Sequence, residues 1–414
     1  MKRSTFIKTA STVSLGLVSN VIAKPKKLKL RVLGTHVTLQ EPLRKKAEED
    51  LNLEISFAPG GSAEILYQAT TRPDSFDLYE QWSNSIKVLW KADAIQGIDI
   101  DKLNYWKEIN SLTKTGKIAP DANYGLGDAP YKLLYVQDNK KLSNKQSQKI
   151  SFLPYVHNAD SYGYNSAIIP KGIPYRTESW GALLDETQKG KVAIVNAPTI
   201  GLFDMALAAE ANNLMKFKDM GDMTRSELDL LFEVFLDYKR RGHFRGVWKS
   251  VPQSVDLMAS GEVTVQSMFS PGVSALNGQG IPCIYAAPKE GYRAWHGVMC
   301  LSSQVNQEQK EAAYRFMNWW LSGWPGAFIA RQGYYISNPK RSRSMMSVEE
   351  WDYWYEGKAA RKDLLGTDGK VCVREGQIRT GGSYKRRFSN VAIWNTVLNE
   401  YEYSLLKWNE FLLG

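Results

Sequence analysis

Cysteine and histidine are both scarce in this sequence, with three and four residues respectively. Cys283, Cys300 and Cys372 allow one disulfide at most, and Cys283 and Cys300 lie in apolar strand-like contexts that suit buried free thiols. His36, His157, His243 and His296 are scattered singly, so the short-spaced pair that a helical zinc site needs is missing. No Gly-x-Ser-x-Gly elbow, Walker loop or Rossmann glycine set stands in its required context. The chain is therefore expected to use no metal, no cofactor and no catalytic residue. Past the first two dozen residues, no apolar run is long enough to span a bilayer. Net charge is +10, yet the basic knots at 24–29, 239–245, 340–343 and 385–387 are short. They read as solvated faces, and no nucleic-acid partner is expected.

What is present begins with a leader pattern. Lys2 and Arg3 precede an apolar, small-residue run from Thr9 to Val21, which ends at Val21-Ile22-Ala23 before the basic Lys24-Pro25-Lys26-Lys27. A positive start, a short apolar core and small residues at −3 and −1 make a cleavable signal peptide, expected at 1–23. Ser4 stands where a twin-arginine signal has its second Arg, so Sec and Tat export both remain open. No cysteine near the cleavage site indicates a lipid anchor. The remainder has ordinary globular composition, 43% hydrophobic and 23% charged, in a length that predicts two or three domain-sized units.

The mature start alternates strand and helix. Leu28–Leu33, Leu53–Phe57 and Phe76–Tyr79 read as strands, with helices over Leu39–Leu51 and from Ser62, as N-cap, to Thr71. A second such region begins near Phe152. It has strands at Gly190–Val195, Val263–Phe269 and Ile281–Tyr285, and a capping box at Thr224–Glu227 before a helix over Leu228–Arg241. Tyr292–Gln304 reads as a strand, Glu308–Trp320 as an amphipathic helix and Ile393–Leu413 as a terminal helix. Parallel βαβ units bind ligands at the carboxyl ends of their strands. The first-region loops are 34–38, 59–62 and 80–85.

The ordered strings Phe76-Asp-Leu with Ala94-Ile-Gln-Gly-Ile-Asp-Ile-Asp-Lys-Leu103, Tyr162-Gly-Tyr-Asn165, Ser179-Trp-Gly-Ala-Leu-Leu with Lys189-Gly-Lys-Val-Ala193, Ser260-Gly-Glu-Val263, Ala287-Pro-Lys-Glu-Gly291 and Gln332-Gly-Tyr with Asn338-Pro339 carry a family likeness. From Leu28 to Pro339 the chain resembles the periplasmic spermidine/putrescine-binding proteins among the type II extracellular solute-binding proteins of ABC importers. The resemblance implies an α/β periplasmic binding protein type II fold, two α/β lobes with a hinge and a helical C-terminal extension. Its expected division is 24–160 with 290–345 as lobe 1, 161–289 as lobe 2 and 346–414 packed on both. Tyr162–Asn165 and Tyr292–Leu301 would cross between them. It further implies a monomer that closes on a small-molecule solute and passes it to an ABC permease in the inner membrane. A feeder of a chemoreceptor would look the same.

The departures bear on the ligand. Polyamine binders pair ammonium groups with carboxylates and line the alkyl chain with rings. The family's acidic residues after the strand that here runs into Asn196-Ala-Pro-Thr-Ile-Gly201 have no counterpart, and Ser270-Pro271-Gly272 stands where another is expected. Thr35-His36 replaces a tryptophan in the first loop. Glu80 is then the one carboxylate placed near the mouth, so an ammonium would be poorly paired. Linear polyamines are not expected as preferred ligands; a small polar or anionic solute suits the cleft better. The expected contacts are Thr35, His36, Trp82, Ser83, Asn84, Thr199, Trp248, Phe269, Trp295, His296, Arg331 and Tyr334, with helix N–H groups at 196–201 suited to an anion. The alternative is a secreted carbohydrate-active enzyme or lectin, with Asp352 and Glu356 as a carboxylate pair beside Trp351, Tyr353, Trp354 and Tyr355. Those rings read better as an amphipathic helix clamping the tail onto the first lobe.

Overall fold

The computed structural model describes residues 27–414, and the expected leader lies outside the described residues. Leu28–Gly34 (β1) leads into Glu41–Leu51 (α1), which carries Pro42 in its first turn, and Leu53–Pro59 (β2) runs parallel to β1 with Leu28 opposite Leu53. Ser62–Thr71 (α2) follows, with Gly61 at the N-cap and no side-chain cap, so Ser62 opens the helix without capping it. Leu78–Trp82 (β3) lies parallel to β1 on its other side, and all five of its residues are buried. Such burial suits a strand covered on both faces.

Leu153–Asn165 (β4) carries the chain out of this unit; all thirteen residues are buried. The expected crossing at Tyr162–Asn165 is only its far end, because the preceding residues already pair with the returning strand. The second unit has Val192–Val195 (β5), Pro198–Ala211 (α3), Arg225–Arg240 (α4), Phe244–Trp248 (β6), Val251–Ala259 (α5), Val265–Met268 (β7), Ser270–Gly278 (α6) and Cys283–Tyr285 (β8). Thr224 and Glu227 form the reciprocal capping box at the start of α4. Tyr292–Ser302 (β9) returns the chain to the first unit.

The main path of the sheet is β6-β5-β7-β4-β9-β3-β1-β2. Two parallel trios are joined through the antiparallel pair β4 and β9, with Asp160 opposite Arg293 and Asn158 opposite Trp295. Each trio lies beside its own apolar core. The first core includes Leu30, Leu78 and Val298 and is closed by Gln307–Trp320 (α7) and Trp324–Ala330 (α8). The second includes Ile194, Phe203 and Phe232. Cys283 and Cys300 are buried, and all three cysteines are free.

The tail differs from the expected run of helix. Val348–Trp354 (α9) and Tyr384–Ser389 (α10) are helical, but Val391–Trp394 (β10) is a strand parallel to β9, and the last helix is Tyr401–Leu413 (α11). The Val-Ala-Ile-Trp string suits a pleated, buried position beside the crossing strand, and this outweighs its helical spacing. The α9 rings join a third core with Ala159 of β4 and Tyr292 and Ala294 of β9. They therefore pack against both crossing strands as well as on the first unit. Trp408 and Phe411 of α11 are buried in the second core.

Candidate functional site

Gly34 ends β1 because a side chain has no room there: an added Cβ would lie 2.8 Å from the Glu80 backbone oxygen. The chain turns, and Glu80 Oε2 accepts hydrogen bonds from Thr35 N at 2.8 Å and Thr35 Oγ1 at 3.0 Å. Burial pushes the Glu80 carboxyl up, and these donors oppose the rise. Glu80 therefore anchors the first loop through Oε2, while its Oε1 is buried without a protein partner.

Beyond this loop three aromatic side chains meet. Trp82 ends β3 with its ring centroid 4.6 Å from that of Trp295, and Tyr334 meets Trp295 edge-on at 5.5 Å. Trp295 donates its indole N–H to Asp160 Oδ2 at 2.8 Å. Asp160 Oδ1 accepts from Tyr285 OH at 2.9 Å and Asn158 Nδ2 at 3.0 Å. Arg293 Nη1 lies 3.6 Å from Asp160, and its Nε donates to Asp204 of α3 at 2.6 Å. Its Nη1 also donates to Asn395 Oδ1 at 3.1 Å. One buried guanidinium thus ties both crossing strands to the second unit and the tail.

Burial pushes the Asp160 carboxyl up to about 6, with Arg293 restraining the rise. Burial likewise raises Asp204 against the pull of Arg293. Asn84 Oδ1, Asn158 Oδ1, Asp204 Oδ2 and Arg293 Nη2 are buried without a protein partner.

The other expected contacts separate into groups. His36 is exposed in the first loop, and Thr199 is half-buried in the first turn of α3. Ser83 Oγ donates to the Asp128 carbonyl at 3.2 Å. Trp248 is buried in a small core with Val195 and meets Phe269 edge-on at 5.1 Å. His296 and Arg331 are not in the aromatic group. Side chains alternate along a strand, so Arg293 and Trp295 share one face of β9 and His296 takes the other. There it stacks on His157 at 4.6 Å and bonds Thr113 Oγ1 at 2.7 Å. Arg331 pairs with Glu350 of α9 at 2.6 Å. Asp160, Arg293 and Asp204 went unnoticed in the sequence. Their signal there is a charged residue inside a strand or helix that is buried along most or all of its length.

The carbohydrate alternative loses its geometry. Asp352 pairs with Lys358 at 2.9 Å and Arg361 at 3.2 Å, while Glu356 accepts from Trp351 Nε1 at 2.9 Å. Tyr353, Trp354 and Tyr355 are buried and offer no open platform.

Two parallel units joined by crossing strands, with aromatic and polar side chains at the join, define the type II binding-protein fold. Residues 43–351 match the model of the bacterial extracellular solute-binding protein family. The chain belongs to that family, whose members bind solutes for ABC transporters. No curated protein matches it in sequence. Among solved structures, it is similar to the spermidine/putrescine ABC transporter substrate-binding protein PotD of Streptococcus pneumoniae. That match has a TM-score of 0.60 at 13% identity, over 93% of this chain and 100% of the other. The TpPotD lipoprotein of Treponema pallidum gives 0.64 at 12% identity, over 93% and 100%. AgtB of A. tumefaciens, solved with agropinic acid, gives 0.58 at 12% identity, over 94% and 99%. At such identities the likeness is one of fold.

The stacked histidines give a stability prediction. Burial lowers His296 to about 4 and His157 well below its usual 6.5, so both are neutral in the fold. Between those values the unfolded chain binds more protons, and stability falls as pH falls through the window. His296→Gln removes one such site. The protein should lose stability relative to this variant on acidification from pH 6.5, with a slope approaching ~1.4 kcal/mol per pH unit. Urea unfolding of both at several pH values measures it, and a pH-independent difference counts against a neutral buried His296.

Proposed function

We propose that this chain is the exported capture subunit of an ABC importer, taking up a small polar or anionic organic solute. Its leader would be cleaved after Ala23, releasing a monomer into the periplasm that presents closed lobes to an inner-membrane permease. The solute would lie between Trp82, Trp295 and Tyr334 on one side and Phe269, with the α3 start at Thr199, on the other. Contact with both lobes is what lets binding drive closure.

One observation carries the choice of ligand. The carboxylate bonded to the aromatic group, Asp160, already accepts from Trp295, Tyr285 and Asn158 and faces Arg293. Its oxygens are already engaged by those donors, so an ammonium group would have to displace one of them. The fold neighbours that bind spermidine and putrescine for ABC transporters support the transport role, and AgtB with agropinic acid supports an organic-acid ligand on this fold.

Calorimetric titration of the mature chain with spermidine, putrescine, amino acids and small carboxylates tests this. Saturable binding is expected for a polar or carboxylate solute and not for spermidine. Submicromolar spermidine binding overturns the ligand class. Trp82→Ala and Phe269→Ala should each weaken the bound solute by about tenfold or more, ~1.4 kcal/mol. If one of them has no effect, the solute does not bridge the two lobes there.

A further inference from the structure

A cavity of about 740 Å³ lies between the second unit and the tail; Trp82, Trp295 and Tyr334 do not line it, although Tyr285, which does, shares Asp160 with Trp295. One wall is Tyr164, Ser274, Asn277 and Tyr285, from β4, α6 and β8; the other is Trp354 with the segment 375–382. Arg379 lines it at 5% exposure, while Lys171 and Arg386 line it from exposed positions. Arg387, fully buried, follows directly in α10.

These two buried guanidinium groups have no anionic partner. Among the described residues neither forms an ion pair. Arg379 donates to the carbonyls of Gly333 at 2.7 Å and Trp354 at 3.4 Å. It lies over the rings of Tyr335 at 4.9 Å and Trp354 at 5.1 Å. Arg387 bonds the carbonyls of Thr380 and Ala159 and lies over Tyr292 and Tyr285, and its buried Nε has no partner. Ring faces and carbonyls stabilise a cation, yet none of them cancels its charge. Two carboxylates also line the cavity: Glu178, whose oxygens are taken by Tyr164 OH at 2.9 Å and Ala287 N at 2.6 Å, and Glu375, which is exposed. Burial, reinforced by the charge of Arg387, holds Arg379 below the usual guanidinium range.

We propose that this cavity is a second ligand site, distinct from the aromatic cleft, that takes a compact oxyanion, carboxylate or phosphate, on Arg379 with Lys171 and Arg386 at its rim. The planar fork of a guanidinium matches two oxygens of either group. The inference stands apart from the choice of cleft ligand, because no side chain of the aromatic group lines this cavity. An occupant would touch the second unit on one side and, through Arg379 and Gly333, the first unit on the other.

The test is calorimetric titration of the mature chain with inorganic phosphate and, separately, citrate, at fixed ionic strength. Saturable binding of at least one is expected. The exposed rim pair Lys171→Glu/Arg386→Glu should weaken it about tenfold, whereas Lys216→Glu/Lys218→Glu, reversing two exposed charges elsewhere, should not. Trp82→Ala should leave it intact. The half-buried Cys372 lines the same cavity, so a saturating anion should slow its modification by a maleimide. Absence of saturable binding at millimolar anion overturns the proposal. So does equal weakening by both charge reversals, which means a diffuse field effect. Loss in Trp82→Ala places the anion in the aromatic cleft and overturns it as well.

Discussion

Arg293→Met is expected to destabilise the protein by about 3–5 kcal/mol at neutral pH, the usual cost of removing one partner from a buried ionic group. Arg293 is fully buried between Asp160 and Asp204, so the variant leaves two carboxylates facing each other with no cation. Methionine fills the volume and cannot answer the charge. The pH dependence makes the cause identifiable. Asp160 already binds its proton near 6 in the fold, above its ordinary 3.8. Without Arg293 that value rises further, and the native variant takes up a proton that the unfolded chain has released. The variant should therefore regain stability relative to the parent as pH is lowered from 7.5 towards 5. Adding Asp204→Leu to Arg293→Met should recover part of the loss, because one uncompensated charge goes with it. Guanidinium unfolding of the three proteins at both pH values decides the matter. A loss below about 1 kcal/mol at pH 7.5, or one that grows in acid, means the triad does not hold the hinge.

Much of the fold could be read from hydrophobic period alone. Leu28–Gly34, Leu53–Pro59 and Gln307–Trp320 lie within a few residues of their expected positions. The Thr224–Glu227 signature formed the box it describes because its hydrogen bonds are local. The site was less legible, for two physical reasons. Trp295 and His296 were both expected as ligand contacts, although neighbours on one strand face opposite ways. A stricter use of that alternation would have separated them. The Asp160–Arg293–Asp204 group is different in kind. Its members come from β4, β9 and α3, and no local pattern predicts that antiparallel register will set Asp160 opposite Arg293. The partner of Arg331 was hidden for the same reason: its carboxylate, Glu350, is brought to it by the tail. Local chemistry is written in the chain, and charge pairing across elements is settled only when the sheet closes.

Trp408→Ala in the last helix is expected to cost about 3–5 kcal/mol, as large as a central core truncation, despite its place near the end of the chain. The indole is 1% exposed and lies in the second core beside Phe232 and Phe411, whose centroids are 6.5 and 5.9 Å away. Its N–H donates to Asn196 Oδ1 at 3.0 Å, in the turn that leads from β5 into α3. Gly201 makes the contact possible: a Cβ there would lie 2.5 Å from Trp408 and would also collide with the Val195 carbonyl. Gly201→Ala should therefore destabilise as well, and when combined with Trp408→Ala it should cost less than the sum, since the smaller side chain relieves part of the clash. Trp408→Phe separates packing from the hydrogen bond; it keeps most of the ring and should lose only about 1–2 kcal/mol. The turn at Asn196 is also the entry to Thr199, so under the proposed binding mode the tail helix helps set the second-lobe contact. Solute affinity should fall in Trp408→Ala even where the folded fraction is held high by osmolyte. If that variant unfolds at the parent's denaturant midpoint, the last helix is a surface appendage and the second core is complete without it.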